Sequence, residues 1–184
     1  MYTNVLISGF GGQGVLLAGQ LLASACMKEG LNVTWYPAYG AEMRGGTVNC
    51  TVCISDEEIA CAYESEPKNV IAMNAPSYER FESKIQSGGI MIVNSSLVKS
   101  KPARDDIIYD FIPITEAAHN AGHEKTANIA ALGAFIKHFP IVRKESIISS
   151  MREKLTGRKA DMLDMNIQAF ESGFNYKQDF ARIK

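Results

Sequence analysis

The sequence predicts an α/β protein, a three-layer α/β/α domain around a mixed, mostly parallel sheet with a Rossmann-like βαβ start. Three observations lead there. An apolar strand at 4–8 passes through a glycine-rich turn into a helix at 15–29 and a second strand at 31–36. Strand-like runs at 47–55, 69–73, 90–94 and 106–112 follow, with a helical stretch among them. From residue 115 onward the pattern is helical.

Taken in order, Asn4-Val-Leu-Ile-Ser8 is the first strand and Gly9-Phe-Gly-Gly-Gln-Gly14 the turn. In the helix from Val15 to Glu29 the polar residues Gln20, Ser24 and Lys28 fall every fourth position. The rest of that surface is apolar and so packs on a sheet and under other elements, with Gly30 as the stop. Leu31 to Tyr36 is the second strand and gives the sheet a parallel start. A loop punctuated by Pro37, Gly40, Gly45 and Gly46 leads to strand 47–55. There Val48, Cys50, Val52 and Ile54 share one face, and Thr47, Asn49, Thr51 and Cys53 the other. Asp56-Glu57-Glu58 reads as a hairpin turn into a strand at 59–63, which makes the sheet mixed. Asn69–Met73 is a strand and 76–86 a helix with Pro76 in its first turn, ended by Gly88-Gly89. Strands at 90–94 and 106–112 follow, then helices from Thr115 and over 125–138, 144–155 and 160–172.

Composition bounds the function. At roughly 150 residues per domain, 184 residues make a single domain, 1–184, with enough chain for a core. Nineteen basic against twenty acidic residues leave a formal net charge of -1. That balance and the lack of a basic block exclude binding driven by phosphate neutralisation, so no nucleic-acid partner is expected. No apolar run reaches the roughly 18–20 residues of a membrane span, and the first residues lack the basic n-region of a signal peptide. A soluble, cytoplasmic protein with no membrane contact is the expectation. Four cysteines, at 26, 50, 53 and 61, suit a reducing compartment. Cys50 and Cys53 have the spacing of a metal or redox pair, but on a strand they point to opposite faces and cannot converge on one ion.

Gly9-x-Gly11-x-x-Gly14, between a strand and a helix, has the geometry of a dinucleotide fingerprint. The fingerprint also needs a carboxylate at the end of the second strand, where this chain reads Val33-Thr-Trp-Tyr-Pro37. A mononucleotide P-loop fails for want of Lys-Ser/Thr after Gly14. Two readings of the turn remain open: glycines that serve only helix–strand packing, and a turn that binds an anionic group or shapes a partner's pocket. A second glycine-rich segment, Tyr39-Gly40-x-Glu42-x-Arg44-Gly45-Gly46, lies past the second strand, on the side where open α/β sheets place ligands. Arg44 there is either a bidentate donor to carboxylate or phosphate, or the partner of Glu42 in a surface pair. His119 and His123 would share a helix face and could hold a metal, but Asn120-Ala-Gly122 between them favours a polar loop. Ser8 lies in no Gly-x-Ser-x-Gly elbow, and no nucleophile–base pair stands out. Met162, Met165 and Phe170 fit core or subunit contact.

Gly9-Phe-Gly-Gly-Gln-Gly-Val15, together with Tyr39-Gly-Ala-Glu-Met-Arg-Gly-Gly-Thr47 and the following Asn49-Cys50, resembles the gamma subunit, or domain III, of the 2-oxoacid:ferredoxin oxidoreductases. Asn128-Ile-Ala-Ala-Leu-Gly133 looks like that family's Asn-x-x-x-Leu-Gly helix, and the length is similar to a stand-alone gamma subunit. The 2-oxoglutarate and 2-ketoisovalerate types are the ones resembled. Ala41 stands where many 2-oxoglutarate-type members carry proline, which bears on the substrate.

The resemblance implies oxidative decarboxylation of a 2-oxoacid with coenzyme A, giving acyl-CoA, carbon dioxide and reduced ferredoxin. It implies alpha, beta and, in some assemblies, ferredoxin-like delta subunits as partners, which carry thiamine diphosphate, magnesium and the iron–sulfur clusters. No cofactor, metal or catalytic residue is then expected on this chain. Its contribution is assembly and the shaping of the coenzyme A side, through Gly9, Gly11, Gly12, Gln13 and Gly14, through Tyr39, Gly40, Glu42, Arg44, Gly45 and Gly46, and through Asn128. The competing reading is a stand-alone nucleotide-binding oxidoreductase or regulatory module.

Overall fold

A computed structural model describes residues 1–40, 46–62 and 64–177. Its six strands are β1 (Tyr2–Phe10), β2 (Asn32–Tyr39), β3 (Thr47–Ser55), β4 (Asn69–Ala72), β5 (Ile90–Asn94) and β6 (Ile108–Ile112). The helices are α1 (Val15–Lys28), α2 (Ala75–Phe81), α3 (Ile114–Asn120), α4 (Ala127–His138), α5 (Lys144–Lys154) and α6 (Leu163–Phe174). The strands lie in the order β2-β3-β1-β4-β5-β6. β1, β4, β5 and β6 pair in parallel, while β3 runs antiparallel to both of its neighbours. The expected α/β architecture and mixed, mostly parallel sheet are present. β4 and β5 are buried along their whole length, as the unbroken apolar runs of central parallel strands require.

The βαβ start takes a split form. β1 and β2 run in the same direction, but β3 is inserted between them and paired along its full length with both, Val5 opposite Val52 and Trp35 opposite Val52. Both edges of β3 are therefore taken, which leaves no pairing edge beside it for the strand expected at 59–63. Residues 59–62 form none; Ser55 Oγ accepts from Glu57 N (2.9 Å) and turns the chain. The segment that follows lies over the sheet, where Cys53 Sγ donates to the Ala62 carbonyl and Tyr2 Oη to Glu64. β2 runs on through Pro37 to Tyr39, beyond its expected end. Proline is tolerated there because β2 is the outer strand and its free edge needs no N–H donor.

The last strand starts at Ile108 rather than 106 because Asp106 is engaged elsewhere. Arg104 forks onto its carboxylate (2.8 and 2.6 Å) and donates to the carbonyls of Glu82 and Ile85. The helix expected over 76–86 ends at Phe81 and continues as one 3-10 turn.

Two apolar layers sandwich the sheet. Ile7, Ile71 and Ile92 face the larger one with Leu21, Leu22, Phe135 and Phe170 from the helices. Leu6, Val70 and Val93 face the smaller one with Tyr78 and Phe81 of α2. The polar stripe of α1 meets α5, where Lys28 Nζ bonds Ser149 and Glu153. Glu29, just past α1, supplies the cap that α5 lacks. Its Oε1 accepts from Arg143 N (2.8 Å) and Ser146 Oγ (2.5 Å).

Burial raises the Glu29 pKa, but the hydrogen bonds from Ser146 and Arg143 outweigh it and hold the carboxyl below its usual value. A group depressed in the folded state stabilises above its unfolded pKa, and that contribution is lost as pH falls through the folded pKa. Glu29→Ala is accordingly expected to cost about 1 kcal/mol at pH 7, the usual loss for a helix N-cap. The difference from wild type should shrink below about pH 4, as urea unfolding at pH 7 and pH 3.5 would measure.

Candidate functional site

The crossover through α1 leads from β1 to the β2 side of the sheet, and that through α2 leads from β4 to β5 on the other side. The two helices also cover opposite faces. The carboxyl ends of β1 and β4 therefore flank a topological switch point, where open α/β sheets hold their ligands. The glycine turn 9–14 sits on one side of that crevice and the β4–α2 junction on the other.

The turn is tightly specified. Gln13 N donates to the Phe10 carbonyl (3.1 Å), while Gln13 Oε1 accepts from Phe10 N (2.7 Å) and Asn74 Nδ2 (3.0 Å). Gly11 N donates to Gly46 O (3.0 Å), which joins the two glycine-rich segments. Gly14 is the N-cap of α1 in the left-handed region, φ 72°, with no side-chain cap over the first turn. Its carbonyl accepts from Asn128 Nδ2 (2.9 Å) at the start of α4, and a Cβ on Gly14 would lie 2.5 Å from that nitrogen. Gly12, φ 98°, is exposed with no atom near a would-be Cβ, so its backbone alone calls for glycine. A Cβ on Gly9 would meet Gln13 Oε1 at 2.7 Å.

Of the second segment, Tyr39 is exposed and Gly40 N closes onto Thr47 O (2.7 Å). Glu42, Arg44 and Gly45 lie outside the described residues, so neither the Arg44–Glu42 pair nor an anion contact is described. The structure thus brings together Gly9, Gly11, Gly12, Gln13, Gly14, Gly46 and Asn128. Tyr39 and Gly40 are described at the start of the second segment.

Three residues at the crevice escape sequence reasoning. Asn74 caps α2 by accepting from Ser77 N (3.0 Å), and its amide nitrogen reaches Gln13. Ser77 Oγ accepts from Ser8 Oγ (2.9 Å), both buried. Asn94, at the end of β5, donates to Met73 O (3.2 Å) and Thr115 Oγ1 (3.0 Å). An asparagine directly after a strand and two residues before Pro76 is an N-cap signal and could have marked Asn74.

The other candidates resolve differently. His119 lies near the end of α3 and His123 beyond Gly122 in extended backbone, so they share no helix face. His123 Nδ1 accepts from Lys125 N (3.0 Å) and caps the 3-10 turn before α4. Cys50 and Cys53 point to opposite faces, Cys50 donating to Val15 O and Cys53 to Ala62 O. Burial pushes the Cys26 and Cys50 thiols up to about 12, which disfavours the thiolate that a metal or a redox reaction needs.

Residues 4–176 match the pyruvate ferredoxin/flavodoxin oxidoreductase family. The ketoisovalerate oxidoreductase subunit VorA of Methanothermobacter marburgensis is 34% identical over 174 residues, covering 94% of this chain and 36% of that one. The chain thus spans about a third of the length of its VorA relatives. The 2-oxoglutarate synthase subunit KorC of Methanocaldococcus jannaschii is 30% identical over 182 residues, covering 97% of this chain and 96% of that one. Among solved structures, the gamma subunit of keto/oxoacid ferredoxin oxidoreductase from Geobacter sulfurreducens superposes with a TM-score of 0.81 at 28% identity, covering 94% and 96% of the two chains. The 2-oxoglutarate:ferredoxin oxidoreductase of Magnetococcus marinus shares the fold (TM-score 0.83, 24% identity), this chain matching 30% of that one. The family match takes in the glycine turn, the switch-point crevice and all six helices, and the chain belongs to the pyruvate ferredoxin/flavodoxin oxidoreductase family.

Proposed function

We propose that the chain is the gamma unit of a multisubunit 2-oxoacid:ferredoxin oxidoreductase, which converts a 2-oxoacid and coenzyme A to acyl-CoA and carbon dioxide while reducing ferredoxin. The observation that carries this reading is the end-to-end correspondence with a 2-oxoglutarate synthase subunit of the same size. Alpha and beta subunits, and in some assemblies a ferredoxin-like delta subunit, carry thiamine diphosphate, magnesium and the iron–sulfur clusters. The cysteines of this chain do not fit a cluster: Cys26 and Cys50 are sealed in the core, and Cys53 faces away from Cys50.

The chain's own part lies at the switch point. The turn 9–14, with its backbone N–H groups and the Gln13 amide, serves the coenzyme A side of the assembled site, and the role of anion ligand in the second glycine-rich segment falls to Arg44. Asn128 fixes the turn through the Gly14 carbonyl. The competing dinucleotide reading is disfavoured by topology as well as sequence. With β3 inserted, the end of β2 is two strand spacings from β1, about 10 Å, so it cannot deliver a ribose-binding carboxylate beside the turn.

Calorimetric titration of coenzyme A onto the assembled complex tests the coenzyme A contact. Arg44→Ala is expected to weaken binding about tenfold, the worth of one charge-assisted hydrogen bond. Unchanged affinity would sink the role given to Arg44.

A further inference from the structure

The hydrogen-bond network at the crevice fixes two side-chain amides without ambiguity. A backbone N–H can only donate, so the Gln13 atom 2.7 Å from Phe10 N is the carbonyl oxygen Oε1. By the same logic the Asn74 atom 3.0 Å from Ser77 N is Oδ1. That leaves Asn74 Nδ2 to donate to Gln13 Oε1 across the crevice, at 3.0 Å. With both bonds gathered on Oε1, the Gln13 Nε2 group has no partner among the described residues, and the residue is half-buried beside the switch point. A carboxamide held by two bonds to its oxygen is locked in rotation, so its two N–H donors are aimed before any ligand arrives.

We infer that Asn74 is a positioning residue, which through Gln13 Oε1 aims the Gln13 Nε2 donors at an acceptor oxygen of coenzyme A. This rests on the reading that the crevice faces coenzyme A in the assembled enzyme. Asn74 itself touches no ligand. It couples the β4–α2 junction to the glycine turn, so the orientation of the donor depends on both sides of the switch point.

Two substitutions separate this role from helix capping. Aspartate caps a helix as well as asparagine does, so Asn74→Asp keeps the bond to Ser77 N but loses the donor to Gln13. In the co-expressed complex, Asn74→Asp is expected to raise the KM for coenzyme A about tenfold, with kcat within twofold and the melting temperature unchanged. A wild-type KM in Asn74→Asp would reduce Asn74 to a cap and overturn the inference. Should Asn74→Asp lower the melting temperature, Gln13→Glu carries the test alone. Its carboxylate still accepts from Phe10 N and Asn74, but an oxygen replaces the outward donor. The same rise in KM is expected, and an unchanged KM overturns the inference. A wild-type complex whose rate does not saturate with coenzyme A would remove the underlying reading, an outcome distinct from either variant behaving as wild type.

Discussion

Gly173→Ala is expected to unfold the domain about 10 °C early. A Cβ at Gly173 would lie 2.7 Å from the Ala130 carbonyl carbon and closer still to its oxygen, where α6 crosses α4 backbone to backbone. Gly133, on α4, meets the Phe170 carbonyl of α6 in the same way. Alanine favours a helix over glycine by up to about 1 kcal/mol, which opposes the loss. The overlap prevails because the obstacle is main chain, which no rotamer change can move aside. The helices must separate, and Phe170, Phe135 and Leu132 with them. A net cost of about 3 kcal/mol lies at the upper end of overpacking penalties and corresponds to a fall in Tm of about 6–12 °C in a domain this size. Gly30→Ala is the control. Its φ of 81° charges the backbone penalty of about 1–2 kcal/mol with open space around the methyl. A Gly173→Ala protein as stable as wild type by thermal unfolding would contradict the close crossing of α4 and α6.

Gly14→Ala is expected to lower kcat/KM for coenzyme A in the assembled enzyme by about 10- to 100-fold. Two effects combine at this residue. Its φ of 72° disfavours any side chain, and the added methyl would sit 2.5 Å from Asn128 Nδ2, breaking the bond that holds the turn to α4. Displacing a binding loop by about 1 Å costs rate on that scale. Combining Gly14→Ala with Asn128→Ala should lose less than the sum of the two single changes, since the second removes the clash and the two share one bond. Strict additivity would show that Gly14 and Asn128 act independently and would undo their pairing.

How far the sequence reveals this molecule depends on how local each feature is. β3 and β5 are legible to the residue, because Thr47–Ser55 alternates by face and Ile90–Val93 is an unbroken apolar run between glycines and Asn94. Alternation does not say which strand lies beside which. That β3 slips between β1 and β2 rests on pairing over dozens of residues, and the hairpin strand expected at 59–63 is missing from its described part, 59–62, for the same reason. The start of β6 shifted because Arg104 claims Asp106, a side-chain event that strand propensity does not register.

The site divides along the same line. Gly9, Gly11, Gly12, Gln13 and Gly14 announce themselves as a motif. Asn128, 114 residues from Gly14, stood out through resemblance, and the structure supplies its physical reason in one hydrogen bond. Asn74 meets Gln13 across 61 residues of sequence and carries no motif beyond that of an ordinary helix cap.

Reconstitution shows whether this chain works as the coenzyme A-side unit of a multisubunit enzyme. The chain is co-expressed with its partner subunits, and viologen reduction is followed with a panel of 2-oxoacids, with and without coenzyme A. Coenzyme A-dependent reduction with at least one 2-oxoacid is expected, and none from this chain alone or from the partners without it. No reduction with any 2-oxoacid, or full activity when this chain is left out, would rule that role out.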